Sequence, residues 1–452
     1  MLDKNNFKNM IPNIVRSKFT NRPILQKIIK NIGWFSFGRA LELILALTIG
    51  ILVARYLGPS DFGLLNYAIA FVALFSPLIN LGLDSVLNRE LVNSPKKKYV
   101  LLGTVFKLKL VSSIFFGILM LLIIFLIAPN NPMIFFLVLV FVLSTILDSI
   151  GCIGIYFNSR IESDKVVKTT GFALVVSNIF KLVLIYLNFS LIWFALASLL
   201  NNILILFLYL FYYYKSNQRF FLWKFNSQVA KKLLFISWPL ILSGVFSIIY
   251  LKIDQVMIGL LLNEYQLGLY SVAVKISEIW YFLPGVIALS LFPSIMSLRK
   301  KSNKLYCEKL QTMFDLFTWI PIVLIIPIFI FSNAIVYFLY GPEYIASGFI
   351  LSILIWGLLA VFIRSGVENY INFEKLYKLS LYSSLFGAFI NILLNLLFIP
   401  LFGILGAAIS TIFSYFFVAY LSNLFFKETR KIFIMQIKSF NLFRILLNYF
   451  KK

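Results

Sequence analysis

The chain has 452 residues, of which 61% are hydrophobic and only 13% are charged, and its formal net charge is +24. Soluble globular proteins contain about half apolar and about a quarter charged residues, so this composition excludes an ordinary soluble protein. The positive charge is spread over many short loops and is not gathered in one basic domain. We therefore expect a membrane protein without a nucleic-acid partner.

Twelve apolar segments are long enough to cross a membrane, because about 20 helical residues span the ~30 Å hydrocarbon core. The first follows a basic stretch and is too long for the apolar part of a signal peptide. The sequence predicts an all-α integral membrane protein with twelve transmembrane helices. They lie near residues 33–57, 63–87, 103–127, 134–157, 168–188, 191–213, 234–261, 267–297, 313–333, 347–371, 379–400 and 404–426.

The basic residues predict the orientation of these spans. Of the 41 Lys and Arg residues, 35 lie in alternate gaps between the apolar segments, and the intervening gaps hold almost none. Short loops rich in Lys and Arg stay on the cytoplasmic side. Both termini are therefore predicted to be cytoplasmic.

The two halves of the chain are similar in length and in sequence. Trp34–Ala68 aligns with Trp238–Ala273 with one inserted residue, and Asn178–Ala195 aligns with Asn391–Ala408. Parallel repeats of this kind place a transported substrate between the halves. The predicted organisation is a cytoplasmic basic segment (1–32), an N-terminal six-helix bundle (33–214), a cytoplasmic linker (215–232), a C-terminal six-helix bundle (233–426) and a cytoplasmic basic tail (427–452).

The basic tail allows two interpretations. Ile, Phe and Leu alternate with Lys and Arg from Lys427 to Lys452, so an amphipathic helix on the anionic inner leaflet is one. A disordered basic segment is the other.

Charged residues inside the spans are the candidate functional residues, since each costs roughly 2.5–3.5 kcal/mol at the bilayer centre. Some are spaced to form ion pairs on one helix face, Arg39 with Glu42, Lys275 with Glu278, and Arg364 with Glu368, which could be purely structural. Cations in both halves favour a wet cationic cavity that selects a phosphate or diphosphate. The predicted substrate-binding residues are Arg39, Lys181, Lys252, Lys275 and Arg364, and the predicted ion-coupling residues are Glu42, Asp148, Asp254 and Glu278.

Several kinds of chemistry are excluded by what the sequence lacks. There is no His, and Cys152 and Cys307 are isolated, so neither a metal site, a disulfide framework nor another cofactor is expected. Coupling to a proton or sodium gradient would have to use carboxylates. No Gly-rich phosphate-binding loop is present, which excludes ATP hydrolysis.

Prolines and glycines inside the spans predict broken helices, which are tolerated only against protein or a water-filled cavity. They make spans seven and eight candidate moving parts. These residues are Pro77 in span two, Pro239 and Gly244 in span seven, and Pro284, Gly285 and Pro293 in span eight.

Four further motifs are Ala54–Gly63, Asp254–Gly259, Leu339–Tyr344 and the run from Asn391 to Ala408. They resemble motifs of the polysaccharide exporters, or O-antigen flippases, of the MATE-like flippase superfamily. The resemblance implies two six-helix bundles that alternate between inward-open and outward-open states. The implied partner is an undecaprenyl-diphosphate-linked oligosaccharide, moved to the outer leaflet of the bacterial inner membrane, with polysaccharide polymerase machinery as a further candidate partner.

Two other functions stay open. A related ion-coupled multidrug antiporter would need an acidic or aromatic cavity, and the embedded charges are too evenly balanced to decide. A membrane glycan polymerase is disfavoured because the longest predicted outer connection, roughly Ser332 to Ala346, is too short to fold into a catalytic domain.

Overall fold

The computed structural model describes residues 23–299, 301–441 and 444. Most of the predicted N-terminal segment 1–32, and the end of the predicted tail, lie outside these residues. The described chain is almost entirely helical, which confirms the predicted all-α class. Its helices are α1 (Pro23–Asn80), α2 (Leu83–Asn93), α3 (Lys98–Ile127), α4 (Pro132–Asp148), α5 (Cys152–Ser159), α6 (Ser163–Tyr186), α7 (Leu191–Lys215), α8 (Ser227–Leu261), α9 (Glu264–Glu278), α10 (Leu283–Leu298), α11 (Asn303–Ile330), α12 (Ser332–Tyr340), α13 (Ala346–Leu354), α14 (Gly357–Glu374), α15 (Tyr377–Phe402), α16 (Ile404–Phe416), α17 (Ser422–Phe425) and α18 (Arg430–Ser439).

Eleven helical stretches among the described residues are long and apolar enough to cross a membrane. The sequence predicts twelve. The count differs because the first stretch, Gly33–Asn93, is 61 residues long and covers two predicted spans. One crossing needs only about 20 residues. The protein is therefore a multi-pass membrane protein.

Helix α1 changes direction at Gly58, where φ is 70° and ψ is 173°. A positive φ costs glycine little because it has no Cβ. Pro59 follows and disfavours the helical conformation at the residue before it. The turn predicted near Pro59 is thus a kink, which divides α1 into a first arm (residues 23–57) and a second arm (residues 59–80).

The broken helix predicted in span eight is present. Helix α9 ends at Glu278, a short 3-10 helix covers Ile279–Phe282, and α10 begins at Leu283. Pro284 stands at the start of α10, where a missing backbone N–H breaks no helical hydrogen bond. Pro284 and Gly285 thus lie beside the break, whereas Pro293 lies inside α10 and does not break it.

The prediction of a broken span seven is wrong. Helix α8 runs without interruption from Ser227 to Leu261 and contains Pro239, and α1 likewise contains Pro77. Membrane helices tolerate proline where packed neighbours cover the freed backbone. The lack of a side chain at Gly244 lets α8 approach Pro77, because a Cβ there would lie 3.0 Å from the proline Cβ. Pro77 and Gly244 thus form a packing contact between α1 and α8.

Helix α1 joins the two parts of the molecule. It packs against α3, α4 and α6 on one side and against α8 and α9 on the other. Among the later helices, α8 packs on α15, α15 on α16, and α11 on α14. The bundle boundaries at residues 214 and 233 remain predictions.

The described part of the basic tail forms a helix that packs on protein. Helix α18 buries Ile432 and Gln436. The Gln311 side-chain amide donates to the Met435 carbonyl at 2.9 Å. The Trp319 indole N–H donates to the Ser439 carbonyl at 3.0 Å. The helical interpretation holds for Arg430–Ser439, and α18 runs alongside α11.

An ion pair that the sequence analysis missed fastens the tail beyond α18. Asp315 of α11, inside predicted span nine, accepts a hydrogen bond from the Arg444 guanidinium at 2.5 Å and one from the Gln311 amide at 2.9 Å. The sequence feature that could have revealed this pair is the carboxylate of Asp315 within an otherwise apolar span. Such a carboxylate is energetically costly unless it has a partner.

Replacing Asp315 with Asn should destabilise the protein by about 2 kcal/mol, because a hydrogen bond to a charged group contributes roughly 1.5–3 kcal/mol. Thermal unfolding in detergent measures the loss. Glu308→Gln on the exposed side of the same helix is the matched control and should stay within about 0.5 kcal/mol of the parent. Equal stabilities of the two variants would contradict a role for this pair.

Candidate functional site: a cavity between the halves

A cavity of about 360 Å³ lies between α1, α6 and α7 of the first half and α9 of the second. Two lysines and one carboxylate face it. Lys181 comes from α6, while Lys275 and Glu278 come from α9. The other lining residues are mostly apolar: Leu43, Ala46, Leu47, Ile49, Gly50, Val53, Phe62, Leu65, Ile69, Asn178, Phe194, Ser198, Ile279 and Tyr340.

Glu278 forms an ion pair across two helices. Lys252 of α8 places its Nζ 2.8 Å and 2.9 Å from the two carboxylate oxygens of Glu278. The sequence suggested Lys275, three residues earlier on the same helix, as the partner. That pairing does not occur, because the neighbouring helix α8 supplies a closer ammonium.

Lys275 instead rests on an aromatic ring. Its Nζ lies 4.2 Å from the centroid of the Phe62 ring, a cation–π contact. Within the described residues, neither Lys275 nor Lys181 forms an ion pair. The cavity therefore holds two lysines that no carboxylate of the described residues pairs with, while its one carboxylate, Glu278, is bound to Lys252.

Two other predicted cations are paired within their own helices. Arg39 lies 2.7 Å from Glu42, with side chains 51% and 48% exposed, so this pair is not buried within the protein. Arg364 pairs with Glu368 on α14. Both pairs confirm the predicted helical spacing. None of the four side chains lines the central cavity.

Arg364 lines a second cavity of about 180 Å³, together with three tyrosines. Its guanidinium also donates to the Ser380 hydroxyl at 3.3 Å and to the Val418 carbonyl at 3.4 Å. The tyrosines are Tyr250, Tyr281 and Tyr415. The Arg364 guanidinium is therefore occupied by contacts with Glu368, Ser380 and Val418, whereas neither cavity lysine forms an ion pair among the described residues.

Asp254 is the most enclosed carboxylate among the predicted site residues, with 1% of its surface exposed. Its Oδ2 accepts hydrogen bonds from the Tyr270 hydroxyl at 2.5 Å and the Thr411 hydroxyl at 3.1 Å. Its Oδ1 accepts from the Gln255 backbone N–H at 2.8 Å. Three helices, α8, α9 and α16, thus meet at one carboxylate.

A small void of about 10 Å³ adjoins both Asp254 and Glu278. Glu278 also lines the central cavity. The two predicted coupling residues therefore share one void, and Glu278 connects it to the lysines.

Asp148 lies apart, at the end of α4. It is exposed, and it interacts electrostatically with Lys109 and Asp84, which form an ion pair at 2.5 Å. Lys109 is not among the predicted site residues, but it is only 4% exposed within α3. Its position directly inside the apolar run of span three was the overlooked signal.

The two halves also meet beside the cavity, at the end of the bundle that carries Gly58, Leu262 and Gly403, called here the Gly58 end. There the second arm of α1 crosses α9 at Gly63 and Gly268. The hydroxyl of Tyr344 donates to the Ala54 carbonyl at 2.8 Å. These contacts link the halves on one side of the cavity.

Comparison with known proteins identifies the family. A family model described as "Polysaccharide biosynthesis protein" matches residues 52–348. The chain belongs to this polysaccharide biosynthesis family. The match covers three of the four motifs noted in the sequence, and it confirms the predicted resemblance to polysaccharide exporters of the flippase superfamily.

Named relatives agree with this assignment. The capsular polysaccharide biosynthesis protein CapF of Staphylococcus aureus is 25% identical over 414 residues, which is 88% of this chain and 99% of CapF. The probable flippase AglR of Haloferax volcanii is 32% identical over 173 residues, covering 36% of this chain and 35% of AglR.

Solved structures share the fold. The lipid II flippase MurJ in an inward closed conformation superposes with a TM-score of 0.70 at 19% identity, covering 92% of both chains. An inward-facing multidrug MATE transporter gives a TM-score of 0.65 at 14% identity, covering 90% of this chain and 99% of that one. The chain thus has a MurJ- and MATE-like fold, as predicted.

Proposed function

We propose that this protein is a flippase that moves undecaprenyl-diphosphate-linked oligosaccharide repeat units, of O-antigen or capsule type, from the cytoplasmic to the outer leaflet of the bacterial inner membrane. The observation that carries the proposal is the cavity between the halves, which is faced by two lysines that form no ion pair in the part of the chain that the structure describes. The names of CapF and AglR, one capsular and one a flippase, support the same substrate class.

The proposed topology has twelve crossings with both termini in the cytoplasm. The stretch Gly33–Asn93 then crosses twice, turning at Gly58. The loops at the Gly58 end carry almost no Lys or Arg, which supports an outward orientation of that end. The basic linker and the tail lie at the cytoplasmic end.

The proposed substrate contact is a diphosphate held between the halves. Lys181 belongs to the first half and Lys275 to the second, and each ammonium offers three hydrogen-bond donors as a compact charge. A diphosphate carries enough negative oxygens to engage both. Rocking of one half against the other would move the two lysines apart. Their joint binding of the diphosphate would then weaken, and the substrate would be released.

The remaining predicted cations are proposed to act later in the cycle. Arg39, Lys252 and Arg364 are each neutralised by a carboxylate in this conformation. A change in the helix contacts is required before any of them can meet an anion. Glu42, which is paired with Arg39, and Asp148 are likewise proposed to take part in ion coupling.

Asp254 is the proposed coupling residue for a proton or sodium gradient. Its carboxylate bridges α8, α9 and α16, so neutralising it changes the contacts among three helices at once. The shared void next to Glu278 gives it a route to the substrate lysines.

Asp254→Asn should abolish the dependence of glycan export on an imposed ion gradient, because the amide cannot bind or release the coupling cation. Flipping of lipid-linked repeat units in proteoliposomes, with and without a gradient, measures the effect. Asp164→Asn, which alters only an exposed i,i+4 pair with Lys168, is the control. If Asp254→Asn still flips the repeat unit at the parent rate and in a gradient-dependent way, Asp254 is not the coupling residue.

The first test of the function is to delete the gene in its host and determine on which leaflet the undecaprenyl-linked repeat unit accumulates. Trapping on the cytoplasmic leaflet, reversed by the parent chain, supports the flippase. Normal export combined with altered drug sensitivity supports the multidrug antiporter, and loss of polymerisation without trapping supports a polymerase. An organic cation entering the cavity would face two lysines, which disfavours the antiporter.

A further inference from the structure

At the Gly58 end, two glycines bring the backbones of α1 and α9 into direct contact. A Cβ on Gly63 would lie 1.9 Å from the Glu264 carbonyl oxygen, and a Cβ on Gly268 would lie 1.9 Å from the Pro59 carbonyl oxygen. The two glycines occupy equivalent positions in the internal repeat. Only glycine permits such an approach, so the crossing cannot form with any larger residue at either position.

A second pair of contacts fastens the segment Ser332–Tyr344 to the first arm of α1. The Tyr344 hydroxyl, fully buried, donates to the Ala54 carbonyl at 2.8 Å. The neighbouring Arg55 guanidinium donates to the Phe338 carbonyl at 2.5 Å. The second half is therefore hydrogen-bonded to the first half beside the kink at Gly58.

Phe62 connects these contacts to the cavity. Its ring is 1% exposed and meets the Tyr344 ring edge-on, with centroids 6.3 Å apart and planes at 89°. The same ring carries the Lys275 ammonium, 4.2 Å from its centroid. The Phe62 side chain thus touches both Tyr344 and the cavity residue Lys275.

We propose that Gly63, Gly268, Tyr344 and Phe62 form a clamp that closes the Gly58 end of the cavity, and that anion binding to Lys275 loosens it. The second part rests on the proposed function. An ammonium attracts a phosphate oxygen more strongly than the face of a ring. An anion in the cavity therefore draws Lys275 away from Phe62, which removes one of the contacts that hold Phe62 against Tyr344.

The clamp is tested with a cysteine reporter inside the cavity. Leu65 lines the cavity and is buried, so Leu65→Cys is introduced into a full-length chain carrying Cys152→Ala and Cys307→Ala. Right-side-out membrane vesicles are treated with a membrane-impermeant maleimide. We expect slow labelling of this parent and labelling at least ten-fold faster after Gly268→Ala, whose added methyl group forces α1 and α9 apart.

Two further variants keep this test decisive. Tyr344→Phe removes only the hydroxyl that bonds Ala54 and should raise labelling several-fold, even if Gly268→Ala fails to fold. Gly285→Ala on α10 is the matched control, because a Cβ there has open space, and it should label like the parent. Parent-like labelling of folded Tyr344→Phe and Gly268→Ala would overturn the clamp.

The anion dependence is tested in vesicles from cells that make no lipid-linked repeat unit, loaded with inorganic pyrophosphate. We expect pyrophosphate to raise labelling of the reporter chain at least three-fold and to have no effect in Phe62→Leu. Pyrophosphate binding to the purified protein is measured separately. Binding without faster labelling overturns the anion control alone, whereas absence of binding counts against the proposed diphosphate site and leaves the clamp result standing.

Discussion

Lys275→Gln should lower surface polysaccharide roughly thirty-fold in the host without lowering the amount of protein in the membrane. Lys275 faces the cavity without a carboxylate partner in the described residues, so its charge is available to the substrate. Losing one charge-assisted hydrogen bond costs about 2 kcal/mol, and each 1.4 kcal/mol is a factor of ten in binding. The measurement is quantitative staining of surface glycan together with immunoblotting of the membrane fraction.

The matched variants separate charge from packing. Lys275→Arg keeps a cation over the Phe62 ring and should retain most export, while Lys304→Gln removes an exposed lysine of α11 and should change nothing. Adding Lys181→Gln to Lys275→Gln should abolish detectable export. Normal glycan in that double variant, at normal protein level, would remove both lysines from substrate binding.

Much of the fold follows from the sequence because hydrophobic length and loop charge act one segment at a time. Nine of the twelve predicted spans fall within the apolar helices that the structure describes, and the other three, 168–188, 313–333 and 404–426, run one to three residues past the helix end. The kink at Gly58 follows from a Gly-Pro pair. Helix continuity is less predictable. Pro239 leaves α8 unbroken, and Gly244 of the same helix packs against Pro77 of α1, which is distant in sequence.

The site is harder to predict because its partners come from different helices. Spacing correctly predicts Arg39 with Glu42, since both sit on one helix. Spacing cannot reveal how α8 is rotated towards α9, so it could not assign Lys252 to Glu278. For the same reason, spacing could not predict that Lys275 lies over the Phe62 ring or that Arg444 pairs with Asp315.

Replacing either partner of the Lys252–Glu278 pair should destabilise the protein by about 2 kcal/mol, because the remaining charge is left without its partner in a low-dielectric environment. Both side chains are less than one third exposed, at 24% and 30%. Lys252→Met and Glu278→Gln are the single variants. Thermal unfolding in detergent measures each one.

The double variant decides which lysine Glu278 is bound to. If Lys252 is the partner, Lys252→Met with Glu278→Gln should be less destabilised than the sum of the single variants, by about 1–2 kcal/mol. The same cycle with Lys275→Met should give a much smaller coupling energy, since Lys275 contacts Phe62. The reverse order of coupling energies would favour the i,i+3 pair within α9 and would mean that this bridge does not join α8 and α9. A strong Lys252–Glu278 coupling would instead identify a link between helices that must break before Lys252 can meet an anion.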